Sequence, residues 1–151
     1  MFVMEIKRAT IKDVTILTEF RKIQLMDEGQ EPIIDIDETV SAYFKDGFER
    51  GVNVSWIVYD GEVSIACGSV VFLSAPPSYI NKTGEYGYIH SIYTDKKYRG
   101  QGIATKLTKM AIEEAKRRGV KVVRLQASEE GLSVYEKVGF VMHNEHMILR
   151  L

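Results

Sequence analysis

Scarcities narrow the reading of this sequence first. There is one cysteine in 151 residues, Cys67, so no internal disulfide can form, and that suits a reducing compartment. Neither sign of charge is in excess: 20 Lys and Arg stand against 21 Asp and Glu, a formal net charge of −1. A balance of this kind gives no whole-protein attraction to nucleic acid or to an anionic membrane, and neither is expected as a partner. No apolar run approaches the ~18 residues needed to span a bilayer. Glu5, Lys7 and Arg8 interrupt the first apolar residues almost at once, so no signal peptide is expected and a cytoplasmic location follows. Also missing is a G-x-x-x-x-G-K-[ST] run, which excludes a P-loop.

With 45% hydrophobic residues, the chain has enough apolar sequence for one core, and one domain over 1–151 is expected. Residues 3–9 read as a strand. Thr10 and Asp13 form a capping-box signal for a helix; a polar, acid-rich stretch over 26–38 leads into a second helix over 37–50. Residues 52–59 and 63–73 alternate as strands around an Asp60-Gly61 turn, and 86–94 form another strand. From Ile103 the apolar spacing turns helical, through Leu107, Met110 and Ala111 to a cap at Gly119. A strand over 121–127, a short helix over 129–138 and two final strands within 140–151 complete the order β-α-α-β-β-β-α-β-α-β-β. The strand, helix and strand between 86 and 127 require a right-handed parallel crossover. The expected class is therefore α/β, with a mixed sheet flanked by helices.

The most specific segment joins the strand at 86–94 to the helix at 103: Tyr98-Arg99-Gly100-Gln101-Gly102-Ile103-Ala104-Thr105. A helix's first turn exposes free N–H groups at its positive dipole end, which suits a phosphate. Glycines there let the backbone come close and adopt conformations other residues avoid. A lone G-x-G equally fits an ordinary turn. A dinucleotide fingerprint fits poorly, because Thr105 stands where Gly or Ala is wanted and the next strand ends in Gln126-Ala127-Ser128 without an acid for a ribose.

Arg99-x-x-Gly102-x-Ala104 resembles the [Q/R]-x-x-G-x-[G/A] acetyl-CoA motif of the GNAT N-acetyltransferase superfamily. Downstream, Val134-Tyr135-Glu136-Lys137-Val138-Gly139-Phe140 is similar to that family's Leu-Tyr-x-x-x-Gly-Phe ending. The resemblance implies a GNAT-like fold whose parallel strand pair splays apart, with acetyl-CoA as co-substrate. Its pantetheine arm would meet backbone groups around Ile92, Tyr93 and Thr94, and its pyrophosphate the segment Arg99, Gly100, Gln101, Gly102, Ile103, Ala104 and Thr105. Ser128 stands where many relatives place an Asn, and would donate one shorter contact.

The implied reaction moves an acetyl group to a primary amine, in a small molecule or a peptide, by direct attack in a ternary complex. Tyr135 resembles the tyrosine near the cofactor sulfur. A phenol of pKa ~10 stays protonated at neutral pH and can protonate a departing thiolate; it can equally be an aromatic packing residue. For the base, strand alternation puts Tyr88, His90, Ile92 and Thr94 on one face. His90 titrates near neutrality, and Glu85 is a second candidate; alternatively His90 only shapes the pocket and water takes the proton.

Asp27, Glu28, Glu31, Asp35, Asp37 and Glu38 form an acid-rich run without Lys or Arg, which suggests a cationic acceptor or simply a solvated loop. His143 and His146, flanking a turn at Asn144-Glu145, make a poor metal site without Cys or clustered carboxylates, and no metal is expected. The C-terminal strands would offer an edge for a homodimer. A non-catalytic acyl-CoA-binding module is the competing reading from another functional class.

Overall fold

The computed structural model describes residues 4–143 and 145–151. Five strands lie in sequence order in one sheet: β1 (Met4–Arg8), β2 (Asn53–Asp60), β3 (Val63–Ser74), β4 (Glu85–Thr94) and β5 (Val123–Leu125). The first three pairings are antiparallel and the last is parallel. Between the strands run α1 (Val14–Asp27), α2 (Asp37–Glu49), α3 (Ile103–Arg117) and α4 (Leu132–Val138), with 3-10 turns at Ile11–Asp13 and Lys96–Tyr98.

Local chemistry sets these boundaries. The Thr10–Asp13 capping box forms as read, with the Thr10 N–H donating to Asp13 at 2.8 Å, although one 3-10 turn precedes α1. The β2–β3 reversal turns on Gly61, at φ 61°, which a residue with a Cβ avoids. On one face of the sheet, Ile103, Leu107 and Ala111 of α3 pack against Val54, Trp56, Val58, Ile65, Val70 and Ile89. On the other, Leu17 and Phe20 of α1 and Phe44 of α2 pack against Ile57, Cys67 and Tyr93. Leu107 and Leu17 are essentially inaccessible, so truncating either to Ala costs about 2–5 kcal/mol.

Two expectations are corrected. The strand read over 121–127 shrinks to Val123–Leu125. The two final strands within 140–151 do not form: among the described residues, 140–143 and 145–151 carry neither helix nor strand. The apolar runs Phe140-Val141-Met142 and Met147-Ile148-Leu149 suit strands in composition, but a strand exists only when a neighbour pairs with it. The turn expected at Asn144-Glu145 lies in part outside the described residues.

Candidate functional site

The site begins where the parallel pair comes apart. β4 and β5 pair only at Gly87–Val123, Tyr88–Arg124 and Ile89–Leu125, whereas β4 continues to Thr94. Beyond Ile89 its outer edge faces a cleft of about 920 Å³, closed on the other sides by α1, the Tyr98–Thr105 segment and the 126–135 region. A second cavity of about 320 Å³ lies elsewhere, around Arg8, Phe48 and Arg118. Its two arginines are already committed to Glu114.

A bulge re-aims β4 at this point. On the β3 side Cys67 faces Tyr93 and Ser69 faces His90, so β4 carries one extra residue there. Ser91 is the one non-glycine residue with positive φ (55°) among those described, as expected where an inserted residue kinks a strand. Strict alternation therefore fails: Ile89 and Ile92 both reach the α3 side of the sheet, while His90 packs on Phe44 and Tyr43 of α2 and Tyr93 on Phe20 of α1. His90 and Ile92, read as sharing a face, are separated. Gly68 lies opposite the bulge, where a Cβ would meet Ile92 Cδ1 at 2.7 Å and Leu107 Cβ at 3.2 Å, so a larger residue would displace the Ile92 side chain.

His90 stands in a buried hydrogen-bond chain. Asn53 donates from Nδ2 to Ser55 Oγ at 2.9 Å, which turns its Oδ1 toward His90. His90 then donates from Nε2 to Asn53 Oδ1 at 2.7 Å and accepts at Nδ1 from Ser91 Oγ at 2.9 Å. Burial, with the Arg21 charge adding to it, pushes its pKa down to about 3. An imidazole with its lone pair occupied and so little basicity near neutral pH does not suit a general base. Glu85 fits no better: it begins β4, outside the cleft lining, and six strand residues, about 20 Å, separate it from Ser91.

The phosphate-binding turn has the conformation its glycines suggest. Gly100 and Gly102 both adopt φ 78°, and a Cβ added at either would meet nothing within 4 Å. Gly102 is the N-cap of α3, and no side chain caps that helix, so the first-turn N–H groups remain available to an anion. Among the described residues, Thr94 Oγ1 at the end of β4 is buried without a partner, a polar atom that an added ligand group would satisfy. These features fit a phosphate-bearing cofactor arm laid along the cleft.

Arg99 lines the cleft but its charge is already met. It donates from Nε to the Thr94 carbonyl at 2.9 Å and from Nη2 to Asp27 Oδ2 at 2.8 Å, and lies over the Tyr93 ring. It thereby ties the end of α1 to the end of β4. Two of the six acids in the acid-rich run are engaged in the same way. Asp27 holds Arg99 and Lys96, Asp37 holds Lys22, and of the six acids only Asp27 and Glu28 line the cleft. Of the run, Glu28 is therefore the cleft acid without an ion pair among the described residues, and the expectation of a cationic acceptor rests on it.

On the far wall Tyr135 of α4 lines the cleft, packed edge-on against Phe140. Burial, and then the Glu28 carboxylate, raise its pKa, so the phenol keeps its proton. Sequence reading missed Gly131. A Cβ there would lie 3.0 Å from Tyr135 Cε2 and 3.2 Å from Ser128 Oγ, so its bareness makes room for both residues. Ser128 Oγ accepts from the Gly131 N–H at 3.2 Å, which leaves its own hydrogen to donate. Cys67 donates its thiol to the Ser91 carbonyl, and burial pushes its pKa up to about 12; it is no nucleophile. His143 lies on Glu145 at 3.5 Å, at an exposed position.

Comparison with known proteins places these features in company. Residues 15–140 match the acetyltransferase (GNAT) family. A solved structure of a predicted acetyltransferase with acetyl-CoA from Clostridium acetobutylicum is 40% identical, covers 98% of this chain and 96% of that one, and superposes with a TM-score of 0.96. N-alpha-acetyltransferase 30 of Schizosaccharomyces pombe is 44% identical over 57 residues, 36% of this chain and 38% of that protein. Glucosamine 6-phosphate N-acetyltransferase of Trypanosoma brucei brucei is 33% identical over 79 residues, 52% of this chain and 54% of that one. The matched stretches thus span about two-fifths to half the length of these two curated relatives.

Proposed function

The chain belongs to the acetyltransferase (GNAT) family, and from that premise we propose that residues 1–151 form one N-acetyltransferase domain, which moves an acetyl group from acetyl-CoA to a primary amine. The observation that carries this reading is the cleft itself. An uncapped α3 N-terminus with two left-handed glycines lies at one end, the free edge of β4 runs along it, and a protonated Tyr135 faces it from α4.

In this reading the amides from Gln101 to Thr105 hold the pyrophosphate, and Arg99, Gly100 and Gly102 shape the turn that presents them. The β4 edge at Ile92, Tyr93 and Thr94 holds the pantetheine arm, with Ser128 donating from across the gap. The amine lone pair attacks the thioester carbonyl carbon directly, within a ternary complex. Free N–H groups of β4 past Ile89 are the donors available to polarise the carbonyl oxygen. As the carbon–sulfur bond breaks, Tyr135 gives its phenolic proton to the departing thiolate. The amine nitrogen loses one proton to water, and Tyr135 is reprotonated from solvent. With His90 neutral and Glu85 distant, the acceptor enters as the free amine. His90 acts as a positioning residue that holds the Ser91 bulge.

Two further readings accompany this one. Among the described residues no helix is long and apolar enough to cross a membrane, and a buried, protonated Cys67 suits a cytoplasmic location. The exposed apolar residues near the C-terminus suit a homodimer. Release of CoA thiol on mixing acetyl-CoA with a panel of primary amines tests the activity. Tight acetyl-CoA binding with no thiol release from any amine would point instead to a binding module.

A further inference from the structure

A cation waits in the acceptor half of the cleft. Arg21 lies on the α1 wall and lines the cavity together with Tyr88 and His90, beyond the bulge from the phosphate-binding turn. Its guanidinium is held in place rather than free to swing. Nη1 donates to Gln24 Oε1 at 3.0 Å, and Gln24, only 8% exposed, donates in turn from Nε2 to Glu28 Oε1 at 3.2 Å. Of the two arginines that line the cleft, Arg99 sits on a carboxylate. Arg21 does not: among the described residues no Asp or Glu lies within ion-pair distance of it. Of the acids lining the cleft, Asp27 and Glu130 lie on Arg99, and Glu28 accepts from Gln24.

Holding a partly buried guanidinium without a counter-charge costs desolvation that folding does not return. Four of its five N–H donors remain for a ligand, in a fork whose geometry matches a carboxylate or a phosphate. Tyr88 lies three strand residues from Ser91, about 10 Å, so one small molecule can place an amine near the bulge and an anionic group near Arg21. We propose that Arg21 selects the acceptor, and that the acceptor is a small primary amine bearing a carboxylate or a phosphate. This rests on the acetyl-transfer reading above and names the substrate class for the same cleft.

The test uses matched acceptors at saturating acetyl-CoA, following thiol release: amino acids against their amides, and amino-sugar phosphates against the parent amino sugars, with spermidine as a polycation. These arms separate carboxylate from phosphate. The anionic member of at least one set should exceed its neutral partner at least tenfold in kcat/KM. Arg21→Ala should lower kcat/KM for that anionic acceptor by about 10- to 100-fold, the range of a charge-assisted hydrogen bond, chiefly through KM. The neutral partner should change by less than about twofold on that reasoning, and Arg21→Lys should recover part of the loss. The acetyl-CoA-induced rise in Tm should be the same in all three proteins, which shows that the fold and the donor site are intact. Preference for spermidine or the neutral partners, or equal losses for both members of a pair, would overturn the assignment, whereas no turnover of any acceptor by protein that binds acetyl-CoA would overturn the acetyl-transfer reading and the assignment with it. A wild-type Tm that acetyl-CoA does not move would overturn the acetyl-transfer reading beneath it.

Discussion

His90 Nε2 and Asn53 Oδ1 lie 2.7 Å apart and fix the imidazole as a neutral donor, with its second nitrogen facing the Ser91 hydroxyl. The pair joins the strained turn of β4 to the start of β2, and α2 makes the approach feasible. A Cβ on Gly47 would meet Asn53 Cβ at 2.6 Å, so a bare residue on the helix is what lets Asn53 sit under the histidine. The histidine that a sequence reader takes for a base is thus built into the scaffold of the reacting strand.

His90 should destabilise the fold as acid is added. Its folded pKa is depressed to about 3 from an ordinary 6.5, so between those values the unfolded chain binds the proton and the folded chain does not. Stability is then fully present above pH ~6.5 and falls as pH drops toward 3, by at most about 1.4 kcal/mol per pH unit from this group. Urea unfolding between pH 7 and pH 4 should show a shallower slope in His90→Gln than in wild type. Identical slopes would mean that His90 is protonated in the folded protein. In the same variants the pH limb of kcat/KM should follow the acceptor amine's pKa rather than an imidazole's.

The physics of each feature decides how much of it could be read in advance. Thr10 and Asp13 announce the first helix because a capping box is local chemistry. Gly100 and Gly102 announce the anion turn because only particular residues tolerate φ 78°. The Ser91 bulge carries no such signal: serine is an ordinary strand residue, and the extra position appears only when β4 is paired with β3. The partners of Asn53 and Gly131 were equally hidden, since each is set by an element distant in sequence or by a void that a glycine leaves. The unformed final strands fail for the complementary reason, because apolar runs within residues 140–151 suit a strand without supplying a neighbour.

Gly102→Val should abolish the rise in Tm that acetyl-CoA and CoA give the wild type, because a ligand that binds only the folded state stabilises it. A β-branched residue at φ 78° is strained by about 1–2 kcal/mol, and its side chain would occupy the open space above the first turn of α3. Calorimetry should therefore find a modestly lowered Tm without ligand and no further shift with it. An unchanged ligand shift would place the pyrophosphate elsewhere.

Val141, Met142, Met147, Ile148, Leu149 and Leu151 are all exposed. Each such side chain left in water forgoes about 1.5–3 kcal/mol of burial, which favours covering them with a second copy. β5, only three residues long and paired on one side among the described residues, offers a sheet edge to such a copy. Sedimentation velocity should find a concentration-dependent dimer. The double variant Ile148→Glu with Leu149→Lys should shift it to monomer and keep the acetyl-CoA response. A wild type that stays monomeric at every concentration would exclude this use of the tail.

Tyr135→Phe should separate proton donation from packing. The ring rests on Phe140 at 6.1 Å between centroids and lies against Gly131, contacts that phenylalanine keeps. Burial and the Glu28 charge hold the phenol protonated, the state an acid needs when the thiolate departs. Removing only the hydroxyl should therefore leave acetyl-CoA affinity within a small factor and lower kcat by about 10²-fold, the usual worth of a positioned acid. Gly131→Ala offers an independent route to the same group: it presses a methyl to 3.0 Å from the ring and should lower kcat while the hydroxyl remains. Wild-type turnover in Tyr135→Phe would remove the acid role, and a rise confined to the KM for acetyl-CoA would reassign the hydroxyl to holding the cofactor.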